Sequence, residues 1–87
     1  MAYQQIIGGR KMNIKVYTTN PCGGCDWTMA QLKGKGLDYE EIKVTADDAE
    51  TLEMLKNNGL VGFPAVVVND FEQSWTGVNP QAIEELV

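Results

Sequence analysis

The sequence contains no histidine, only two cysteines and no long apolar run. Without histidine, the side chain most often used as a general base and metal ligand is missing. A transmembrane helix needs about 20 apolar residues in succession, and no segment approaches that length. Seven basic residues against twelve acidic ones give a net charge of −5, which disfavours nucleic acid as a partner because phosphate contacts need clustered Lys and Arg.

The cysteine count also limits the class of protein. Two cysteines are too few for a small secreted domain held by several disulfides. A bridge between them would close a very short loop, for which chain entropy contributes only about 2 kcal/mol. No signal peptide is recognisable, since residues 1–11 lack an apolar core segment. We therefore expect a cytoplasmic protein with no membrane contact, in which such a pair is more often catalytic than structural.

The 87 residues are enough for one domain, which buries about 60–65% of the surface that its unfolded chain exposes. An apolar fraction of 44% is typical of a globular protein. Residues 1–12 include Gly8-Gly9 followed by Arg10-Lys11, and we expect a flexible leader there, derived from an expression vector or natural. The single domain is then expected to comprise residues 13–87 and to be a monomer.

Both cysteines belong to one short motif, in which Pro21 precedes Cys22-Gly23-Gly24-Cys25. At this spacing, one turn of helix brings the two thiols close enough to bond. The first sulfur then lies at the open N-terminus of the helix, where unpaired N–H groups and the helix dipole favour a thiolate over a thiol. A thiolate is the species that attacks disulfides, so the motif predicts thiol–disulfide exchange.

Hydrophobic periodicity and turn residues predict strands and helices in the order β-α-β-α-β-β-α. The strands are expected at 13–17, 39–44, 65–68 and 72–76. The first helix is expected from Cys25 to about Lys33. The second is expected to begin after an N-cap at Asp47, and the third after an N-cap at Asn79. The first two strands, joined by a helix, should be parallel, and the last two, joined by a turn at 69–70, antiparallel. The fold class is therefore α/β, a mixed sheet of four strands with helices on both faces.

This order, with a cysteine pair after the first strand and Pro64 just before the third, resembles the thioredoxin fold in its compact glutaredoxin form. In that family the proline is cis and faces the two sulfurs, which implies the same geometry for the Phe63-Pro64 bond. Residues 75–80 read Trp-Thr-Gly-Val-Asn-Pro. They are similar to the Trp-Ser-Gly-Phe-x-Pro segment of NrdH-redoxins, a glutaredoxin-like subgroup that behaves like thioredoxin.

The resemblance implies a small dithiol–disulfide oxidoreductase, with Cys22 as the attacking thiolate and Cys25 as the resolving thiol. In NrdH-redoxins, a thioredoxin reductase with its own flavin and NADPH supplies the electrons, and the disulfide of a ribonucleotide reductase receives them. No cofactor is therefore expected on this chain. The residues expected to contact the substrate surround the two sulfurs in that family, and they are Pro21, Gly23, Gly24, Phe63, Pro64, Trp75, Thr76 and Gly77.

Two alternatives stay open. A glutathione-dependent glutaredoxin typically has Thr-Val-Pro before the third strand and Gly-Gly-x-Asp after the fourth. This chain has Gly62-Phe63-Pro64 and no Gly-Gly-x-Asp. A carrier of zinc or of an iron–sulfur cluster is the second alternative, and it would need ligands from carboxylates, because the chain has no histidine and no third cysteine.

The motif departs from the NrdH-redoxin pattern in two ways. That subgroup has bulkier or polar residues where this chain has Gly23-Gly24, and often a lysine where this chain has Asn20. Redox potential and choice of partner are the properties that these changes affect. Asp26, next to the second cysteine, is interpreted as a solvated acid in the first turn of the helix, where the helix dipole favours a negative charge. A role as general base is the lesser alternative.

Overall fold

A computed structural model describes residues 12–86 of the chain. The predicted leader lies outside this range except for Met12, so its boundary stays a prediction. The described part forms four strands and three helices in the predicted order. Their bounds are β1 Ile14–Thr18, α1 Gly23–Gly34, β2 Glu40–Lys43, α2 Ala49–Asn57, β3 Ala65–Val68, β4 Gln73–Thr76 and α3 Pro80–Glu84.

The strands form one mixed sheet in the order β2-β1-β3-β4. As predicted, β1 is parallel to β2, and β3 is antiparallel to β4; β1 and β3 are also antiparallel. The register pairs Thr18 with Lys43 and Tyr17 with Ala65. The end of β1 therefore lies between the end of β2 and the start of β3. The loop after β1, which contains the cysteine motif, is flanked on both sides by other strands.

Helices cover both faces of the sheet, which confirms the prediction. Every residue of β3 is buried, as expected for a strand covered on both faces. On one face, Leu32 of α1 and Ile83 of α3 share an apolar cluster with Val16 and Val66. On the other face, Leu55 of α2 belongs to a second cluster. The sheet is thus held between α1 and α3 on one side and α2 on the other.

One helix cap differs from the sequence prediction. Asp47 does not cap α2; the N-cap is Asp48, whose Oδ1 accepts a hydrogen bond from the Thr51 N–H at 3.2 Å. The prediction was wrong by one residue because both aspartates are capping residues and only the backbone decides which carboxylate reaches an open N–H. The predicted cap of α3 is confirmed, since Asn79 Oδ1 accepts from the Ala82 N–H at 3.1 Å.

Candidate active site

Helix α1 begins two residues earlier than the sequence predicts, at Gly23 instead of Cys25. The cause is Cys22, which is the N-cap: its Sγ accepts a hydrogen bond from the Cys25 N–H at 3.2 Å. The sulfur takes the place of the usual capping oxygen. It therefore lies at the N-terminus of a 12-residue helix, beside open N–H groups and the positive end of the dipole.

The two cysteines form a disulfide, with their Cα atoms 5.4 Å apart. The two sulfurs differ in access, because Cys25 is only 2% exposed whereas Cys22 is half-buried. An approaching molecule therefore meets Cys22 first. Since the chain has two cysteines and both are in this bond, all of its thiol chemistry takes place here.

The proline expected beside the sulfurs lies there. The Phe63-Pro64 bond is cis, as the resemblance implies, and Pro64 is buried. A Cβ placed on Gly24 would lie 3.3 Å from Cδ of Pro64, so the proline ring packs directly against the cysteine motif. The Asn20-Pro21 bond is cis as well, which the sequence did not predict.

Strand β4 brings residues 75–77 to the same end of the sheet. The Gly77 N–H donates to the Pro64 carbonyl at 2.8 Å, which extends the β3–β4 pairing up to the cis-proline. Trp75 is half-buried and packs against the cluster beneath α1 and α3. Its Nε1 is buried and has no hydrogen-bond partner among residues 12–86. The site thus has Gly77 next to the proline, whereas Trp75 contributes to the core below.

Apolar side chains remain exposed on this side of the disulfide, which we call the proline side. Val78 is 54% exposed, and Phe63, which directly precedes the cis-proline, is half-buried. Val78 Cγ2 lies 3.1 Å from the position of a Cβ on Gly24, so this side chain rests on the cysteine motif. Sequence reasoning placed Phe63 here but missed Val78.

The opposite side, which we call the β2 side, is a pocket of about 350 Å³ lined by both cysteines and by charged residues. Lys43 reaches it from the end of β2, and Asp26 from the first turn of α1. Glu41 also lines it and accepts a hydrogen bond from the buried Thr18 Oγ1 at 3.1 Å. Uncharged residues complete the lining, namely Thr18, Thr19, Asn20, Met29, Val44 and Thr45.

Of this pocket, sequence reasoning noted only the cysteines, Asn20 and Asp26. A usable signal was present, since two parallel strands joined by a helix end at the same edge of a sheet. The last residues of the predicted second strand therefore had to lie beside the cysteine loop, and Lys43 is among them. The pairing continues past the strand, because the Val44 N–H donates to the Thr18 carbonyl at 2.8 Å.

Two further features of the described part concern metal ligands and membrane-spanning helices. Residues 12–86 contain no group of three or more His, Cys, Asp or Glu side chains arranged to hold a metal ion. Within the same range, no helix has the length and apolar character needed to span a membrane. The reactive group that the structure presents is the disulfide.

Comparison with known proteins identifies the family. The glutaredoxin family model matches residues 14–71. A glutaredoxin-like 8.6 kDa protein of the rubredoxin operon of Clostridium pasteurianum is 32% identical over 74 residues, which are 85% of this chain and 96% of that protein. Glutaredoxin 3 of Escherichia coli is 28% identical over 57 residues, which are 66% of this chain and 69% of that protein.

Solved structures agree with this assignment. NrdH-redoxin from Escherichia coli superposes with a TM-score of 0.76 at 32% identity, covering 86% of this chain and 95% of that one. A glutaredoxin from Archaeoglobus fulgidus has the same fold, with a TM-score of 0.67 at 24% identity over 91% of this chain and 97% of its own. The chain belongs to the glutaredoxin family, has the compact thioredoxin fold and is a thiol–disulfide oxidoreductase with Cys22 and Cys25 as its redox pair.

Proposed function

We propose that this chain reduces disulfides of other proteins in the cytoplasm, and that a thioredoxin reductase, not glutathione, returns it to the dithiol form. The observation that carries the proposal is the likeness to NrdH-redoxin over 86% of the chain. That relative is a glutaredoxin-like protein with a thioredoxin-like activity profile. The proposed substrate is the disulfide of a class Ib ribonucleotide reductase.

The first step uses the exposed sulfur. In the dithiol form, Cys22 is the thiolate, stabilised by the Cys25 N–H and by the helix N-terminus. It attacks one sulfur of the substrate disulfide. The substrate S–S bond breaks, a mixed disulfide with Cys22 forms, and the departing substrate thiolate takes a proton from water.

The second step uses the buried sulfur. Cys25 loses its proton and attacks Cys22, which releases the second substrate thiol and leaves the intramolecular disulfide seen in this structure. Because Cys25 is only 2% exposed, the sulfur of Cys22 is the one that it can reach. The substrate gains two electrons from the chain and two protons, of which one balances the proton lost by Cys25 and the other comes from water.

The external reductase reverses this oxidation. We propose that NADPH supplies the two electrons through the flavin of that enzyme, so that the chain itself needs no resident cofactor. The reductase thiolate would attack Cys22, the sulfur that a large partner can approach. The chain then acts as a carrier between two proteins, and both are proposed to use the proline side.

A second candidate function is favoured by one comparison. The 28% identity to glutaredoxin 3 suggests reduction by glutathione. Against it, Gly62-Phe63 stands where glutathione-dependent members have Thr-Val before the proline, and the Gly-Gly-x-Asp segment is missing from the sequence. A metal-carrying role draws no support from the described residues, where no ligand group of three or more is found.

A coupled assay distinguishes the two candidates. The chain is mixed with insulin, a protein disulfide, and NADPH oxidation is followed with thioredoxin reductase in one arm and with glutathione plus glutathione reductase in the other. We expect the thioredoxin reductase arm to be faster by at least about tenfold, which corresponds to about 1.4 kcal/mol. Efficient turnover only in the glutathione arm would overturn the proposal and favour the second candidate.

The substrate is tested separately. A class Ib ribonucleotide reductase is assayed for deoxyribonucleotide formation with this chain, thioredoxin reductase and NADPH as the only source of electrons. We expect multiple turnovers that stop when the chain is left out. A single turnover that the chain does not extend would contradict the proposed substrate while leaving the oxidoreductase activity in place.

A further inference from the structure

The two glycines between the cysteines have different surroundings. Around Gly23, a Cβ would meet nothing within 4 Å. Around Gly24, it would lie 3.1 Å from Cγ2 of Val78 and 3.3 Å from Cδ of Pro64. Neither glycine has a left-handed φ, so the backbone would accept a side chain at both positions. Only at Gly24 is the space already occupied.

The two neighbours of Gly24 differ in how far they can yield. Pro64 is buried and its ring cannot rotate away. The Val78 side chain is 54% exposed, so it can move into solvent. A side chain at position 24 would therefore displace Val78 and leave Pro64 where it is.

The backbone of Val78 is held on both sides. Before it, the Gly77 N–H donates to the Pro64 carbonyl at 2.8 Å. After it, Asn79 caps α3 through the Ala82 N–H at 3.1 Å. Valine has few χ1 rotamers because it is branched at Cβ. The backbone thus holds the side chain over Gly24, where it fits because position 24 has no side chain.

We propose that Gly24 and Val78 are a matched pair that determines the specificity of the site for protein disulfides. With no side chain at 24, Val78 rests against the cysteine motif and forms an apolar wall beside the half-buried Cys22. A polypeptide that brings its own disulfide to Cys22 then packs an apolar residue against this wall. A small disulfide has no such residue and does not use it. The inference rests on the proposed action on protein disulfides.

The experiment measures second-order rate constants for the prereduced full-length chain with two disulfides, insulin and bis(2-hydroxyethyl) disulfide. No reductase is present, so failure of the proposed reductase does not affect the result. For Gly24→Gln, we expect the rate with insulin to fall about tenfold. The reason is that the added side chain displaces Val78 and so removes the apolar wall against which the insulin chain would pack. The rate with the small disulfide reports any change in the reactivity of the cysteine pair itself, and the insulin rate is expected to fall about tenfold relative to it.

Matched variants separate specificity from damage to the fold. Gly34→Gln, at the end of α1 away from the disulfide, places the same side chain where a Cβ would meet nothing within 4 Å, and both rates should stay within about twofold of wild type. Gly24→Ala adds only a Cβ and should lower the insulin rate about threefold. Thermal unfolding of each oxidised variant checks that the domain is folded.

The decisive variant is Val78→Ala, because it removes the side-chain atoms that a residue at position 24 would displace. Val78→Ala should lower the insulin rate by about threefold on its own, and adding Gly24→Gln to it should cost less than about twofold more, because contacting residues are not additive. Such coupling supports the matched pair. Equal losses from Gly24→Gln in both backgrounds, an equal loss in Gly34→Gln, or an equal loss with the small disulfide would each overturn it.

Discussion

The two sides of the Cys22–Cys25 disulfide are built from different kinds of side chain. On the proline side, exposed Val78 and the cis-proline both lie against Gly24. On the β2 side, Lys43, Glu41 and Asp26 line a pocket. One disulfide thus separates an apolar surface from a charged one.

The difference follows from the topology of the sheet. The order β2-β1-β3-β4 places the cysteine loop between the end of β2 and the start of β3. β3 is a central strand that is buried throughout, so the chain enters it from an apolar segment. β2 is an edge strand of sequence Glu-Glu-Ile-Lys, whose charged residues are exposed. Charge on an edge strand also discourages pairing with other chains.

The contrast suggests a division of labour. Apolar surface contributes about 25 cal/mol per Å² when a partner covers it, so the proline side can supply affinity for a protein. Exposed charges contribute little to affinity in water, and they act instead through their field on nearby charged groups. On this account the β2 side affects the charge state of the thiols and the proline side selects the partner.

The largest predicted effect concerns the sulfur that both sides share. Cys22→Ser should lower the rate of insulin reduction by at least about 10³-fold, because the attacking thiolate is removed. Cys25→Ser should instead stop after the first step and accumulate a mixed disulfide, detected by mass spectrometry. A mixed disulfide that forms through Cys25 in the Cys22→Ser variant would contradict the assigned order of attack.

The next effect tests the proline side directly. Val78→Asp places a charge on the apolar wall, and we expect the rate with insulin to fall about tenfold because a partner must desolvate that charge. Phe71→Asp is the control: Phe71 is also exposed but belongs to the turn between β3 and β4. An equal loss in both variants would mean that the effect is not local to the site.

A smaller effect compares the two glycines in stability. Gly23→Ala should raise the free energy of unfolding of the oxidised domain by about 0.4–1 kcal/mol, because alanine restricts the unfolded chain and favours helix. The free energy of unfolding of Gly24→Ala should be lower than that of Gly23→Ala by at least about 0.5 kcal/mol, because the Cβ at position 24 crowds Val78 and Pro64. Urea unfolding measures both, and equal gains would contradict the packing described at Gly24.

The smallest effect tests the β2 side. Lys43→Gln should lower the insulin rate by about two- to threefold at low ionic strength, because a cation near the thiolate is lost. At about 1 M salt the difference should vanish, since screening then acts within about 3 Å. Lys33→Gln, at the far end of α1, is the matched control and should show no change. A salt-independent loss in Lys43→Gln would point to packing instead of charge.

Much of the fold was predictable because local signals agree with the tertiary arrangement. Residues 65–68 are a short β-branched run, and they form a fully buried strand. Asn79 followed by proline predicted a helix start that the structure confirms. At residues 47–48 the local signals were ambiguous, since two adjacent aspartates can both cap and the backbone chose the second.

The site was predictable to a lesser extent. The cysteine spacing and the family resemblance pointed to the redox pair and to cis-Pro64, both present in the structure. The start of α1 at Gly23 was missed because a cysteine is not a usual N-cap residue. The position of Val78 on Gly24 depends on atoms 54 residues apart in sequence, and no local pattern reports such a contact.

The central claim is that the reduced Cys22–Cys25 pair reacts with protein disulfides through its apolar side without the help of glutathione. The most direct test mixes the prereduced chain, with no reductase present, either with insulin or with oxidised glutathione and follows tryptophan fluorescence in a stopped-flow instrument. We predict that the second-order rate constant for insulin exceeds that for oxidised glutathione by at least about tenfold. A larger rate constant for oxidised glutathione would contradict the account.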